Sequence, residues 1–274
     1  MPRESSLREA QRRLRAAGAP GRAAPATGRG GRPLRVADVA LFHGERSGGI
    51  RTYIEAKALW AQRGGLIDHH VIVPGVRERH EDGRHELPSL RLAATNGYRL
   101  PLGAGALKDA LRELRPDMVA LHDPFWRPLG VTQAAHDLGA KVVAVHHGTI
   151  ALDAAGLPGP DALWHPVLRS WMHRAYRDAD AIMSAVDPRP DCGCPATIAL
   201  RFGIDAQFVP QPDVRRQDHV LYVGRLGREK GVVELLQAAA RSAEPWQLKL
   251  VDPGTRRSRP RRWPWNGSCT AAAA

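Results

Sequence analysis

Two patterns of apolar and polar positions alternate along most of this chain. Short runs rich in Val, Ile, Leu and Ala are typical of buried parallel strands. Between them lie stretches whose apolar residues recur at helical spacing. Strands are predicted within Leu34–Phe42, Asp68–Gly75, Leu87–Leu92, Arg115–Asp123, Lys141–Gly148 and Ala181–Ala185, and helices at 51–63, 105–114, 131–138 and 164–178. This order predicts an α/β fold with a parallel, doubly wound sheet.

Two stretches lack either pattern. Residues 1–33 are rich in Arg, Ala, Gly and Pro, so we expect a basic disordered leader with at most a short helix at 6–17. Residues 76–87 are densely charged and are predicted to form a mobile loop.

A second strand, loop and helix unit lies near the end of the chain. The apolar run Val220–Val223 predicts a strand, Gly224 allows a turn, and the residues from Val232 onward follow helical spacing. Arg225 and Lys230 lie on the loop between them, next to the free N–H groups expected at the start of the helix. Cations beside a helix N-terminus are suited to binding a diphosphate. The alternative is that both cations belong to a solvated loop without a ligand.

A pair of glycines, Gly48 and Gly49, separates the first strand from the first helix. A strand, a glycine turn and a helix suit a phosphate site at the carboxyl edge of a sheet, although many such turns need glycine for the backbone alone. The pair matches neither a dinucleotide fingerprint nor a P-loop.

The formal charge of +12 is concentrated at the two ends. Residues 1–35 hold nine Arg and two Glu, and residues 252–274 hold five Arg and one Asp. The part between them is nearly neutral, which argues against specific nucleic-acid binding. Basic tails attract anionic lipid or nucleic acid without specificity, and the alternative is a leader without a partner.

Cysteines and acidic residues give no sign of a disulfide framework or a metal centre. Cys192 and Cys194 are too close for an ordinary disulfide and do not have zinc spacing. Asp178 and Asp180 form a D-x-D pair, but the pair precedes a predicted strand, whereas metal binding requires it to follow one. We therefore expect no metal and no cofactor. Apolar runs of 18 residues and a secretory signal are both absent from the sequence, so we expect a cytoplasmic protein.

The segment V-G-R-L-x-x-E-K-G-x-x-x-L-L-x-A, from Val223 to Ala238, resembles the start of the C-terminal domain of family 4 glycosyltransferases. These are retaining enzymes with two Rossmann-like domains, the GT-B architecture. The resemblance covers roughly residues 34–251 in the right order and implies a nucleotide-sugar donor, a glycan or lipid-linked acceptor and no metal. Ser47–Thr52 and Asn96–Arg99 are similar to mannosyltransferases that act on lipids, which favours GDP-mannose and a peripheral position on the inner membrane face.

The resemblance also implies roles for individual residues. Arg225 and Lys230 would hold the donor diphosphate, and Gly48 and Gly49 would form the first glycine-rich loop. A histidine at a strand end would contact the donor sugar. His146 fits that position better than His147. His122, Asp123 and Gly203 are further candidates for the cleft, with a loop pair devoid of chemistry as the alternative for His122 and Asp123.

The C-terminal part departs from the family pattern. The distal E-x7-E of the family is missing, and residues 252–274 form an Arg, Pro and Trp tail without periodicity. We therefore predict a leader at 1–33, an acceptor-side domain at 34–205, an incomplete nucleotide-sugar domain at 206–251 and an atypical tail at 252–274. The hypothesis is a truncated enzyme whose reading frame was lost near Asp252. The alternative is an inactive remnant that acts at most as a binding module.

Overall fold

The computed structural model describes residues 27–43, 48–91, 99–101, 103–126, 128–155, 157, 159–185, 196–200, 203, 215, 219–224, 226, 230–242, 247–252 and 269–273. The candidate site residue Arg225, the helix predicted at 6–17 and the segment Asn96–Tyr98 lie outside these ranges.

Strands and helices alternate through the first and larger unit, as predicted. Its strands are β1 (Leu34–Val39), β2 (Ile67–Gly75), β3 (Arg79–Glu81), β4 (Arg84–Arg91), β5 (Arg99–Pro101), β6 (Met118–Leu121), β7 (Lys141–His146), β8 (Ala181–Ser184) and β9 (Thr197–Ala199). Its helices are α1 (Gly49–Gly64), α2 (Gly105–Leu114), α3 (Pro128–Asp137), α4 (Ile150–Ala155) and α5 (Asp161–Tyr176).

These nine strands form one sheet in the order β3-β4-β2-β1-β6-β7-β8-β9, with β5 paired to β4. All neighbouring pairs are parallel except β3 with β4 and β4 with β5. On one side of β1 lie β2 and then β4, and the chain then crosses to the other side of β1, where β6 pairs with it. The strand order therefore reverses between β1 and β6, as in Rossmann-like sheets.

Helices cover both faces of this sheet, which confirms the doubly wound α/β fold. Successive strand residues point to opposite faces, and in β2 they enter different clusters. Ile72 packs with the cluster that includes Leu107 of α2 and Val131 of α3. Val71 and Val73 pack on the other face with Ile54 of α1. A third cluster, around Ala144 and Tyr176, joins β7 to α4 and α5.

The densely charged segment after β2 is a β-hairpin, so the prediction of a mobile loop over 76–87 is wrong. Asp82 and Gly83 form its two-residue turn, both with positive φ, 46° and 76°. This is the geometry of a type I′ turn, which favours Asp-Gly and matches the twist of the strands it joins. The antiparallel register places His80 opposite His85.

Residues 27–33 also differ from the expected disorder. Arg29–Gly31 form a 3-10 helix, and the Arg29 guanidinium donates to the carbonyl oxygen of Leu138 at 2.8 Å. Arg32 forms an ion pair with Asp117 at 2.9 Å. Because carbonyl and carboxylate acceptors of the larger unit hold these arginines, this part of the basic leader has a defined course.

A smaller parallel sheet follows in the order β10-β11-β12. It consists of β10 (Val220–Val223), β11 (Leu248–Asp252) and β12 (Cys269–Ala273), with α6 (Val232–Arg241) between β10 and β11. The predicted strand and helix of this unit are thus present. The tail, which lacks a sequence pattern, supplies β12.

No helix among the described residues is both long and apolar enough to cross a membrane.

Candidate functional site at the strand-order reversal

The strand order reverses between β1 and β6. In open α/β sheets such a reversal forms a crevice at the carboxyl ends of the strands, which is the usual ligand site. Asp38 lies near the end of β1, His122 follows β6 directly, and His147 follows β7. Tyr53 and Lys57 reach the same place from α1. We call Asp38, Tyr53, Lys57, His69, His122 and His147 the switch-point cluster.

Asp38 is the centre of the switch-point cluster and is fully buried. The Lys57 Nζ donates to Asp38 Oδ1 at 2.7 Å, and His69 Nε2 lies 2.8 Å from Asp38 Oδ2. His122 Nε2 is 3.5 Å from Asp38 Oδ1. Burial by itself would raise the pKa of Asp38, but Lys57, His122 and His69 hold that pKa well below its usual range. Asp38 is therefore a buried carboxylate that stays ionised.

His122 connects Asp38 to His147. His122 Nδ1 lies 2.9 Å from His147 Nε2, and the two rings are inclined by only 17°. Tyr53 packs against both rings, with centroid distances of 5.8 Å to His122 and 6.0 Å to His147. Burial, together with the neighbouring His122 and His146, lowers the pKa of His147 to about 3. His147 is therefore a neutral imidazole at ordinary pH.

Asp123 follows His122 but binds backbone N–H groups instead of joining the switch-point cluster. Its Oδ2 accepts the Leu41 backbone N–H at 2.7 Å, and its Oδ1 accepts those of Phe125 and Trp126 at 3.0 Å each. Burial raises the pKa of Asp123, and these backbone donors act against that rise. The carboxylate therefore links the loop after β6 to the end of β1 and stabilises the backbone around the site.

The adjacent residues His146 and His147 have different surroundings in the structure. His146 ends β7, is 4% exposed, and packs edge-on against Tyr176 of α5 at 6.0 Å. His147 instead joins the switch-point cluster beside α1. Contact with the reacting sugar remains a prediction for either residue.

Gly48 and Gly49 lie where α1 begins. Gly48 precedes the helix, and its carbonyl oxygen accepts the Thr52 N–H at 3.2 Å. Among the described residues, no heavy atom lies within 4 Å of a Cβ atom added to either glycine. Packing within the described part of the chain therefore does not exclude a side chain at either position.

Lys230 occupies the predicted place before α6. It is exposed, and Gly231, at φ 68°, forms the helix N-cap. Only glycine adopts this left-handed conformation readily. Gly203 is also exposed. The roles of Lys230 and Gly203 remain predictions.

Asp38, Tyr53, Lys57 and His69 were not among the residues predicted from the sequence. One signal was available, because Asp38 is a charged residue inside an otherwise apolar first strand, Val36–Leu41. A buried charge needs a partner, but the sequence does not reveal that Lys57 and His69 supply it.

Among the described residues, no group of three or more His, Cys, Asp or Glu is arranged to hold a metal ion. Asp180, from the rejected D-x-D pair, accepts hydrogen bonds from Lys141 and from the backbone of Val142. Its carboxylate holds β8 beside β7.

The fold and the crevice define an α/β protein of the Rossmann-like class, with a polar cluster at the reversal of strand order. The sequence profile of Glycosyltransferase Family 4 matches residues 47–185. Because that match spans half of the chain, the protein belongs to glycosyltransferase family 4.

Relatives and solved structures add two kinds of similarity. A 121-residue segment is 38% identical to the GDP-mannose-dependent alpha-(1-6)-phosphatidylinositol dimannoside mannosyltransferase of Mycobacterium tuberculosis strain ATCC 25177 / H37Ra. It covers 42% of this chain and 30% of that relative, so the match spans less than a third of the relative's length. The same values hold for the protein of strain CDC 1551 / Oshkosh.

Two solved structures are similar over more of the chain. The apo lipopolysaccharide outer core galactosyltransferase WaaB is 17% identical, with a TM-score of 0.47 over 80% of this chain and 61% of its own. Arabidopsis thaliana UGT89C1 complexed with UDP is 13% identical, with a TM-score of 0.47 over 87% of this chain and 70% of its own.

Proposed function

We propose that this chain belongs to a retaining glycosyltransferase that moves mannose from GDP-mannose to a lipid-linked or glycan acceptor. The 38% identity to a GDP-mannose-dependent mannosyltransferase carries this proposal. The family match also includes Gly48, Tyr53, His122 and His147, which lie at or beside the crevice. A lipid-linked acceptor would bring the chain into peripheral contact with a membrane surface.

The unit of β10 and α6 supplies the proposed donor site. Lys230 stands directly before α6, whose first N–H groups have no partner within the helix, and there the cation and the helix dipole act in the same direction. Both stabilise the negative charge that develops on a departing diphosphate. Arg225 is the proposed second cation.

The crevice of the larger unit supplies the proposed sugar and acceptor side. We assign the hydrogen bond to the donor sugar to His147 rather than His146. His147 joins the switch-point cluster, while His146 packs against Tyr176. Because Gly48 and Gly49 carry no side chain, backbone N–H groups there can approach a substrate.

Titration with GDP and turnover of GDP-mannose test this proposal. Lys230→Ala removes a charge-assisted contact, so we expect roughly ten- to hundredfold weaker GDP binding. Arg241→Ala removes an exposed cation from the other end of α6 and serves as the matched control, with unchanged affinity expected. Equal loss in both variants, or equal affinity of the unaltered chain for GDP and UDP, would contradict the donor assignment.

A second candidate function is ligand binding without catalysis. It is favoured by the exposed apolar residues of β10, where Val223 is 65% and Leu221 is 55% exposed. Large exposed apolar patches are typical of interaction surfaces. GDP binding without transfer to any lipid or glycan acceptor would support this candidate over the enzyme.

A further inference from the structure

Three histidines meet near one edge of the large sheet, one from each of the strands β2, β3 and β4. The strand register places His80 opposite His85, and His85 opposite Ile72. Residues two apart on a strand share a face, so His70 lies on the same face as Ile72 and the other two rings. The ring centroids of His70 and His85 are 5.4 Å apart, and those of His80 and His85 are 4.6 Å apart.

A carboxylate fixes the orientation of His70. Asp68 accepts hydrogen bonds from Arg35 Nε at 2.6 Å and from His70 Nε2 at 2.8 Å. Burial by itself would raise the pKa of Asp68, but Arg35 and His70 lower that pKa, so the carboxyl group is ionised at neutral pH. Because an ionised carboxylate only accepts hydrogen bonds, His70 Nε2 carries a proton.

The proton on His70 Nε2 determines how His70 and His85 are bonded. Burial lowers the pKa of both histidines, so both rings are neutral at neutral pH. A neutral His70 then has its lone pair at Nδ1, which lies 3.2 Å from His85 Nε2. His85 therefore donates from Nε2, and its own Nδ1 bears a lone pair. That Nδ1 atom is buried and has no hydrogen-bond partner in the described part of the chain.

A proton added to this pair has no favourable position. With one more proton, hydrogens lie at His70 Nε2, between the two rings and at His85 Nδ1, whichever ring holds the charge. The hydrogen at His85 Nδ1 would belong to a buried N–H that finds no acceptor among the described residues, which is unfavourable. A second proton would place two N–H groups face to face at 3.2 Å. Protonation therefore acts against the contact between His70 and His85.

The surrounding charges do not remove this conflict. The groups that act on the two rings come from β1, β2, β3 and α2, and they are Asp68, Glu113, Arg35, His69 and His80. The two carboxylates favour protonated rings, whereas the guanidinium and the neighbouring imidazoles oppose them. Burial is the largest influence on both rings and also opposes protonation. Glu78 approaches only His80, at 3.6 Å.

The hairpin of β3 and β4 has a small share in the apolar core. All three residues of β3 are exposed, and the first apolar residue of β4, Leu87, is the one that enters the core. Before Leu87, the hairpin is bonded to β2 through the backbone, for example from the Val71 N–H to the Gly83 carbonyl oxygen at 2.8 Å. Segments with few buried apolar contacts open at a lower free energy than core strands. Residues 79–86 are therefore able to separate from β2 while the core stays closed.

The turn of this hairpin also borders a cavity. The cavity has a volume of about 380 Å³ and lies between α1 and β2, with Asp82, Gly83 and Arg84 in its wall. His69 of the switch-point cluster lines the same cavity. Movement of the turn therefore changes access to the cavity and to this side of the switch-point cluster.

We propose that the His70–His85 pair is a pH-sensitive latch: the neutral pair holds the hairpin of β3 and β4 against β2, and protonation of the pair releases residues 79–86 and uncovers the cavity beside α1. The inference goes beyond the proposed function and requires no transferase activity. The competing explanation is a histidine pair that titrates without any movement of the hairpin.

Amide hydrogen exchange of the whole chain tests the latch. After correction for intrinsic exchange rates, the protection of peptides that cover residues 79–86 should fall between about pH 7.5 and 5.5, by about tenfold for each histidine that gains a proton on release. At about pH 5.5 these peptides should be at least about tenfold less protected than those of β6 and β7, because they open without the core. Unchanged protection of the hairpin, or equal protection of hairpin and core at the lower pH, would overturn the proposal.

His85→Gln separates the latch from other titrating groups. The glutamine amide donates to His70 Nδ1 but takes up no proton. The hairpin of this variant should therefore lose about tenfold less protection than the wild type over the same pH range. His173→Gln is the matched control, because it removes an exposed histidine from α5, and the wild-type pH dependence is expected. A wild-type pH dependence in His85→Gln, or the same reduction in both variants, would refute the latch.

If His85→Gln does not fold, as judged by circular dichroism, His70→Gln takes its place. Its amide group donates to Asp68 and accepts from His85 Nε2, so both hydrogen bonds of the native ring are retained without a titrating group. A reduced pH dependence of hairpin protection in this variant supports the latch, and the wild-type dependence refutes it.

Discussion

His146 and His147 are adjacent in the sequence and differ in almost every other respect. His146 continues the alternation of β7, so its ring lies on the same face as Ala144 and meets Tyr176 of α5. His147 comes after the strand ends and meets His122 and Tyr53. A single position along a strand thus decides which histidine belongs to the core and which to the crevice.

Substitution of the two histidines should therefore have different consequences. We expect His147→Gln to lower the kcat for GDP-mannose roughly tenfold or more, because a positioned hydrogen-bonding group is lost. His146→Gln should mainly lower the free energy of unfolding, by about 1 kcal/mol, because it disturbs the packing against Tyr176. Steady-state kinetics and urea unfolding separate the two effects, and a larger loss of kcat in His146→Gln would restore His146 as the sugar contact.

At the scale of single elements, the hairpin of β3 and β4 shows that a favourable turn sequence can outweigh a high density of charged residues. Its strands carry many charged residues, which suggested a loop. Asp82–Gly83 is nevertheless one of the strongest two-residue turn signals, and the turn pairs β3 with β4. The Asp82–Gly83 turn signal was present in the sequence, but the loop prediction followed the charged residues instead.

Gly83→Ala tests the hairpin. Gly83 has φ 76°, and an added Cβ would lie 2.9 Å from the carbonyl oxygen of His69. We expect a loss of about 1–2 kcal/mol in the free energy of unfolding. Gly64→Ala is the control, because its Cβ would meet only Leu66 at 3.7 Å and alanine favours the helix. Equal stability of the two variants would show that the turn geometry is wrong.

At the scale of the whole molecule, burial makes several histidines resist protonation. Burial lowers the pKa of His43, His70, His85 and His147 in the folded state. The unfolded chain binds protons at these residues below about pH 6.5, while the folded chain binds them only at lower pH. The stability that these histidines contribute is therefore complete above this pH and is lost progressively as the pH falls.

The stability that ionised carboxylates contribute is lost only at lower pH. The pKa values of Asp68 and Asp117 are lowered, and that of Asp180 falls to about 2. For these groups the loss begins below the unfolded value of about 4. Between about pH 6.5 and 4.5 the loss therefore comes from the histidines, and Asp123, whose pKa is raised by burial, acts in the opposite direction.

Urea unfolding followed by tryptophan fluorescence tests this pH dependence. Between about pH 7.5 and 5.5 we expect the wild type to lose at least about 1 kcal/mol through His147 alone, because its folded pKa of about 3 lies far below the unfolded value. His147→Gln should lose about that much less over the same range. Parallel curves for wild type and variant would contradict the low pKa assigned to His147.

The sequence by itself determined the α/β class, the doubly wound parallel sheet and the unit of β10, Lys230 and α6. Each of these depends on local periodicity or on neighbouring residues, and such signals survive in a linear pattern. It also placed His122 and His147 at the ends of strands.

Only the tertiary structure decided that Asp38, His122 and His147 form one connected cluster. β6 is distant from β1 in the sequence and becomes its neighbour because the strand order reverses there, and β7 lies on the far side of β6. The same holds for the ionised state of Asp38, since burial opposes its charge and only Lys57, His69 and His122, brought from three other elements, stabilise it. Side-chain direction and electrostatic compensation are properties of the packed molecule, and no local pattern encodes them.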